Sequence, residues 1–167
     1  MCIRDSSGAR LAGPADDYAK PLKLFARNVG VAFQILNDLK DWQGDSDNKM
    51  SAGGDVLGGR PTLLWALALE SLEPQQQDEL LGLIENTQMS DESRIARVRQ
   101  LYRDANVFEK AERLVDKHQE RAESVADEIE PDELRRLLYY LVDTVLDRGE
   151  SSGPAPVLVD LPITTKS

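Results

Sequence analysis

The sequence predicts an all-α fold. Apolar residues recur every three or four positions along most of the 167 residues, which is the spacing of one face of a helix. No segment sustains the alternation of apolar and polar residues that strands show, and no unit of about 20 to 50 residues is repeated. Prolines and helix-capping residues separate the apolar segments. A chain of this length is expected to form one domain with a hydrophobic core.

The first helical segments follow Ala9. We expect two pieces, divided around Pro14 and Pro21, and the second continues into a set of polar positions near residue 40. Pro21 is placed in the first turn of the second piece, where the missing N–H of proline costs little. The apolar positions of the two pieces are Leu11, Ala12, Ala15, Ala19, Leu22, Leu24, Phe25 and Val29.

Two helices are predicted in the middle of the chain. Residues 62–72 are apolar on nearly every face, so this helix is expected at the centre of the bundle with Trp65 in the core. Pro74 begins the next helix, which ends near Asn86. The inward-facing residues of that helix are Leu80, Leu81, Leu83 and Ile84.

Further helices are predicted toward the C-terminus. Ser90, followed by Glu92 and Ser93, is typical of a helix cap. A long helix follows over residues 107–129, and Pro131 begins the last one. The predicted inward-facing residues of these helices are Ile95, Val98, Leu101, Tyr102, Ala111, Leu114, Val115, Ala122, Val125, Ala126, Leu134, Leu137, Leu138, Tyr139, Tyr140, Leu141, Val142, Val145 and Leu146.

Composition limits the functions to consider. A formal net charge of -10 and a pI of about 4.6 argue against a nucleic-acid partner, which would require a basic surface. Cys2 is the only cysteine, so no internal disulfide is expected. The only histidine, His118, lies among charged residues and is predicted to be a surface residue rather than a catalytic base. No apolar run approaches the roughly 18 residues of a transmembrane helix, and we expect a cytoplasmic protein.

A set of polar residues at helical spacing interrupts the apolar pattern before residue 46. These residues are Gln34, Asn37, Asp38, Asp41 and Asp45. Acidic groups within an apolar pattern are costly to bury unless a cation meets them, and their oxygen atoms suit Mg²⁺. The glycines at 53, 54, 58 and 59 predict a flexible turn that ends at Arg60, whose guanidinium group is suited to a phosphate. The alternative, a solvated acidic face, explains neither the Phe-Gln pair before this set nor the Gly-Arg-Pro-Thr after it.

The region resembles the second aspartate-rich region of the trans-isoprenyl diphosphate synthases, the polyprenyl synthetase family. The matching positions are Gly30, Ala32, Phe33, Gln34, Ile35, Asp38, Asp41, Gly44, Asp45, Asp55, Gly59, Thr62 and Leu63. Two positions differ from the family pattern. Asn37 replaces the first aspartate of the motif, and Arg60 replaces a lysine that contacts diphosphate.

The resemblance implies a helical bundle of the isoprenoid synthase type, present as a C-terminal partial domain over residues 8–148. Residues 1–7 are interpreted as a non-native or disordered leader, and residues 149–167, rich in Ser, Gly and Pro, as a flexible tail. The first aspartate-rich motif of the family is not found in this chain. We therefore expect the 167 residues to be inactive alone.

The resemblance also implies the reaction and the roles of individual residues. Members of the family condense an allylic diphosphate with isopentenyl diphosphate to make longer polyprenyl diphosphates, use Mg²⁺, and commonly form homodimers. Asp38 and Asp41 are then the catalytic residues, and they bind the metal together with Asn37. Gln34 and Arg60 contact the substrate diphosphate, and Phe33 forms part of the pocket wall.

Two alternatives remain open at this stage. The first is a class I terpene cyclase, because Asn37, Asp41 and Asp45 have the spacing of the metal-binding triad of those enzymes. The second is a non-catalytic subunit that has lost a metal ligand at Asn37 and regulates a partner synthase.

Overall fold

The computed structural model describes residues 16–43, 53–85 and 88–147. Helices and their short connections account for these residues, and no strand occurs within them. The prediction of an all-α fold is therefore confirmed. The helices are α1 (Asp16–Gln43), α2 (Gly54–Leu57), α3 (Leu63–Ser71), α4 (Pro74–Glu85), α5 (Asp91–Asp104), α6 (Val107–Asp127) and α7 (Asp132–Val145).

The core is built around helices α1 and α6, which pack against each other more extensively than any other pair of the described helices. Ala32 of α1 and Ala111, Ala122 and Ala126 of α6 are fully buried, and such small side chains let neighbouring helices approach closely. Helices α3 and α7 also pack on α6. Helix α6 therefore supports the helix that carries the polar positions.

An aromatic cluster holds the C-terminal end of α1. The ring of Trp42 lies 5.0 Å from that of Tyr102 and 6.1 Å from that of Phe108, measured between centroids, in tilted and edge-on orientations. Aromatic pairs of this geometry contribute about 0.5 to 1.5 kcal/mol each beyond the area that they bury. The cluster joins α1, α5 and α6 directly beside Asp41.

Helix α1 is continuous, so the prediction of two pieces divided at Pro21 is wrong within the described residues. Pro21 lies inside the helix, one turn after its start at Asp16. At this position proline removes a single hydrogen bond, the one to the carbonyl of Asp17. Asp17 is an exposed residue near the helix start, where solvent can satisfy a carbonyl, so the loss of this hydrogen bond does not end the helix.

One cap and four core positions of helix α5 were predicted correctly. The Ser90 hydroxyl accepts a hydrogen bond from the Ser93 N–H at 3.3 Å, which confirms the predicted cap of α5. The four predicted inward residues of this helix, Ile95, Val98, Leu101 and Tyr102, are all buried. Local capping chemistry and a regular apolar stripe are sufficient to predict α5.

Other predictions of inward-facing residues are wrong. Leu81 of α4 and Leu137, Tyr140 and Leu141 of α7 are 37 to 51% exposed. Helix α7 packs through the narrower stripe of Leu138, Val142 and Leu146. The flanking residues Leu137, Tyr140 and Leu141 stay exposed in the described structure. Residues 54–57, expected as a flexible turn, instead form the short helix α2 with Val56 buried.

No helix among the described residues has the length and apolar character needed to span a membrane. The predicted leader at residues 1–7 and the predicted tail at residues 149–167 lie outside the described residues, as does Asp45.

Candidate functional site

Three of the predicted site residues come together in one cleft of about 630 Å³, referred to below as the Asp38 cleft. Gln34 and Asp38 reach it from α1, and Arg60 reaches it from the segment between α2 and α3. The full lining consists of Ala26, Arg27, Gly30, Val31, Gln34, Ile35, Asp38, Asp55, Arg60, Pro61, Thr62 and Leu63. The cleft thus combines acidic, amide and cationic groups with an apolar wall.

On the helical side of the cleft, Gln34 and Asp38 are one turn apart and interact directly. The Gln34 Nε2 donates a hydrogen bond to the Asp38 Oδ1 at 3.1 Å. This contact orients the half-buried carboxylate, and the second carboxylate oxygen remains available to a ligand.

Glycines shape the other side of the cleft. Gly59 has a φ of 64°, in the left-handed region that favours glycine, and it connects α2 to Arg60. The Arg60 N–H donates to the Asp55 carbonyl at 2.9 Å, and the Arg60 guanidinium lies 3.3 Å from the Asp55 carboxylate. The Arg60 side chain is 78% exposed, so this ion pair is weak and the guanidinium is free to bind an anionic ligand.

Asp41 lies beside the cleft rather than among its lining residues. Its Oδ2 accepts a hydrogen bond from the Gly53 N–H at 3.2 Å. Burial raises the pKa of Asp41, and the nearby charges of Asp55 and Asp38 raise it further, although the Gly53 hydrogen bond acts in the opposite direction. Burial and the two neighbouring carboxylates therefore disfavour the charged form of Asp41.

The backbone at Gly53 positions that hydrogen bond. Gly53 has a φ of 81°, and a Cβ atom there would lie 3.2 Å from the Cη2 of Trp42. A side chain at this position would be strained by the backbone and crowded by the aromatic cluster. Glycine at residue 53 therefore allows the loop to approach Asp41.

The remaining predicted residues lie elsewhere on α1. Asn37 is exposed, Phe33 is 43% exposed, and neither lines the cleft. Among the described residues, no three Asp, Glu, His or Cys side chains are grouped so that they could hold a metal ion on their own. Asparagine is not among these residue types, so metal binding by Asn37, Asp38 and Asp41 stays a prediction.

Two charged residues that line the cleft, Asp55 and Arg27, had no predicted role. Asp55 was recognised only as part of the glycine-rich pattern, although it lines the cleft as a second carboxylate and pairs with Arg60. Arg27 lies seven positions before Gln34, which corresponds to two helical turns and the same face of α1. That spacing was the signal that would have identified Arg27.

Comparison with known proteins gives a consistent result. A profile of the family described as Polyprenyl synthetase matches residues 4–104 of the chain. The all-trans-nonaprenyl-diphosphate synthase (geranyl-diphosphate specific) of Rhodobacter capsulatus is 26% identical over 144 residues, which cover 86% of this chain and 43% of that protein. The octaprenyl diphosphate synthase of Escherichia coli is 33% identical over 76 residues, or 45% of this chain and 24% of that enzyme.

The fold is shared with a solved structure. Geranylgeranyl pyrophosphate synthase from Corynebacterium glutamicum, solved in complex with isoprenyl diphosphate and magnesium, superposes with a TM-score of 0.72 at 27% identity. The match covers 84% of this chain and 40% of that one. These relatives match most of the present chain, and the chain in turn spans about two-fifths of their length.

Proposed function

Because the chain belongs to the polyprenyl synthetase family, we propose that it contributes to a prenyltransferase that joins an allylic diphosphate to isopentenyl diphosphate. The observation that carries the proposal is the Asp38 cleft, in which Asp38, Asp55 and Arg60 face one space together with Gln34. Carboxylates and an arginine around one cavity provide both a metal-binding side and an anion-binding side.

The aspartates suit Mg²⁺ bound together with a phosphate substrate. Mg²⁺ typically takes one or two protein carboxylates, keeps several waters and completes its shell with phosphate oxygens, so a closed protein cage is not needed. Asp38 and Asp41 would hold it, with the amide oxygen of Asn37 as a neutral ligand. The raised pKa of Asp41 supports this assignment, because a cation would offset the charges of Asp55 and Asp38. When bound, Mg²⁺ supplies charge neutralisation of the leaving diphosphate.

The other side chains bind and orient the substrate. Arg60 donates charge-assisted hydrogen bonds to the diphosphate, and Gln34 contributes an amide while it holds the Asp38 carboxylate in place. The apolar wall around Val31, Ile35 and Leu63 excludes water from the carbon chain. Phe33 lies outside the lining of the described cleft, and its role as a pocket residue remains a proposal.

We further propose that residues 8–148 form the C-terminal half of a larger catalytic domain. The support is the coverage, which is 43% of the nonaprenyl-diphosphate synthase against 86% of the present chain. On this proposal the 167 residues are inactive alone, and the complete protein is a cytoplasmic homodimer.

The test is a prenyl transfer assay. The reading frame is extended upstream, and both the extended protein and the 167-residue chain are incubated with radiolabelled isopentenyl diphosphate and allylic primers over a range of Mg²⁺ concentrations. We expect Mg²⁺-dependent chain elongation by the extended protein and none by the 167 residues.

The other results of this assay would each overturn a different part of the proposal. Elongation by the 167 residues alone would overturn the partial-domain proposal. A folded extended protein without incorporation would indicate a non-catalytic subunit, and cyclic products from an allylic diphosphate alone would indicate a terpene cyclase.

A further inference from the structure

A second cleft, of about 400 Å³, lies between helices α1 and α6 and is referred to below as the His118 cleft. Its lining residues are Leu24, Arg27, Asn28, His118, Arg121 and Ser124. The set contains two arginines, a histidine, an amide and a hydroxyl but no carboxylate. In a chain with a formal net charge of -10, such a cationic lining is unusual.

The centre of this cleft is built around a buried amide. Asn28 is only 6% exposed, and its Nδ2 donates a hydrogen bond to the Leu24 carbonyl at 2.9 Å. Its Oδ1 lies 2.9 Å from the Nδ1 of His118, and because this oxygen can only accept, the Nδ1 of His118 carries the proton. The interaction fixes the tautomer of the ring and leaves Nε2 for a further partner. The prediction that His118 is simply a surface residue is therefore wrong, because the ring is half-buried and held by Asn28.

The cationic groups around the ring have no acidic partners in the part of the chain that the structure describes. None of the ion pairs among the described residues includes Arg27, Lys117 or Arg121. Besides burial, the charges of these three residues lower the pKa of His118, so all three act on the ring. Positive groups gathered without a counter-charge attract an anion.

We propose that the His118 cleft binds a small soluble phosphate ester or diphosphate. Arg27 and Arg121 donate charge-assisted hydrogen bonds to the phosphate oxygens. The Nε2 of His118 becomes a further donor when the ring is protonated, whereas the Ser124 hydroxyl already donates to the Glu120 carbonyl at 2.8 Å. The volume lies at the lower end of the range for small-molecule pockets, which suits a ligand of this size. This inference does not depend on the proposed prenyl transfer, because it concerns binding at a separate cleft.

The single histidine of the chain provides a direct probe. The ¹H NMR signal of the His118 Cε1–H is followed in the untagged 167-residue chain while inorganic pyrophosphate is added in EDTA at constant ionic strength. We expect a saturable shift of this signal and a rise in the pKa of His118 as the anion binds.

Variants locate the binding site. Arg27 lines both clefts, so Arg121, which lines only the His118 cleft, is the residue to change. We expect Arg121→Gln to weaken pyrophosphate binding about tenfold, the loss of one charge-assisted contact. Arg103→Gln, the matched control, removes an equal charge from an exposed residue outside the cleft and should leave binding unchanged.

Three results would overturn the proposal. The first is the absence of a saturable shift in a chain whose circular dichroism shows the expected helix content. The second is equal weakening by Arg121→Gln and Arg103→Gln. The third is binding to phosphatidylcholine vesicles that contain phosphatidic acid without binding to pyrophosphate, which would assign the cleft to a lipid headgroup.

Discussion

The two clefts on helix α1 differ in their charged groups: two aspartates and two arginines line the Asp38 cleft, whereas two arginines and no carboxylate line the His118 cleft. Beside the Asp38 cleft, burial together with the charges of Asp55 and Asp38 raises the pKa of Asp41. In the His118 cleft, burial together with the surrounding cations lowers the pKa of His118. Each group is thus displaced toward its neutral form by burial and by neighbours of its own charge.

The difference indicates which ion each cleft favours. The aspartates of the Asp38 cleft favour a metal cation, and Arg60 in the same cleft favours the diphosphate bound to that cation. The His118 cleft offers positive groups alone and favours an anion without a metal. One helix can support both because its faces point to different neighbours, the segment after α2 in one case and α6 in the other.

The largest expected effect comes from removing a carboxylate in or beside the Asp38 cleft. We expect Asp38→Asn or Asp41→Asn in the upstream-extended protein to lower prenyl transfer about 10² to 10³-fold, because each removes a negative charge where Mg²⁺ is proposed to bind. The control is Asp143→Asn, which removes an exposed aspartate of α7. Activity that falls equally in the control, or not at all in the site variants, would contradict the assignment.

Gly53→Ala tests how the loop reaches Asp41. We expect a loss of about 1 to 3 kcal/mol in the free energy of unfolding, because residue 53 has a φ of 81° and its Cβ would crowd Trp42. Urea denaturation followed by circular dichroism measures the change. Gly82→Ala is the matched control, since Gly82 lies within α4 with nothing within 4 Å of an added Cβ. This control should gain about 0.5 to 1 kcal/mol, and a similar loss in both variants would refute the strained-turn explanation.

Arg60 affects substrate binding more than stability. We expect Arg60→Gln to raise the KM for the allylic diphosphate about tenfold in the upstream-extended protein, through the loss of a charge-assisted contact. Arg60→Lys keeps the charge and should retain most of the affinity. Because the Arg60 side chain is 78% exposed, neither change should move the free energy of unfolding by more than about 0.5 kcal/mol. An unchanged KM in Arg60→Gln would exclude a role in diphosphate binding.

The smallest expected effect concerns the titration of His118 in the absence of ligand. Arg121→Gln removes one of the charges that lower the pKa of His118, so this pKa should rise toward its ordinary value of 6.5. A lowered pKa means that the folded chain binds fewer protons than the unfolded chain, and the His118 contribution to stability falls as the pH drops below about 6.5. The Arg121→Gln variant should therefore lose less of its free energy of unfolding as the pH drops below about 6.5. A pKa that is the same in both proteins, measured by NMR, would show that Arg121 does not act on the ring.

The helices could be predicted from the sequence where local signals agree. The cap at Ser90 and the regular apolar stripe after it predict α5, and both are local features. The continuity of α1 through Pro21 could not be predicted, because it depends on an exposed carbonyl near the helix start. The exposure of Leu137 and Leu141 could not be predicted either, because periodicity shows that a residue is apolar but not which other helices pack beside it.

The sequence predicted residues of one cleft but not of the other. Gln34, Asp38 and Arg60 were identified from an ordered motif, and they share one cleft. The His118 cleft was missed because Asn28 and His118 are 90 positions apart, and neither belongs to a recognisable motif. Such a pairing appears only when α1 packs on α6.

The most direct test of the contrast between the clefts uses Mn²⁺, a paramagnetic substitute for Mg²⁺, added without any phosphate compound to the isotopically labelled 167-residue chain. NMR line broadening then reports which residues lie near the metal. We predict that the amide signals of Gly53 and Arg60 broaden first, that the His118 Cε1–H stays sharp, and that Asp38→Asn combined with Asp41→Asn abolishes the effect. Broadening of His118 at the same Mn²⁺ concentration, or broadening of Gly53 that survives the double substitution, would contradict a metal site formed by these aspartates.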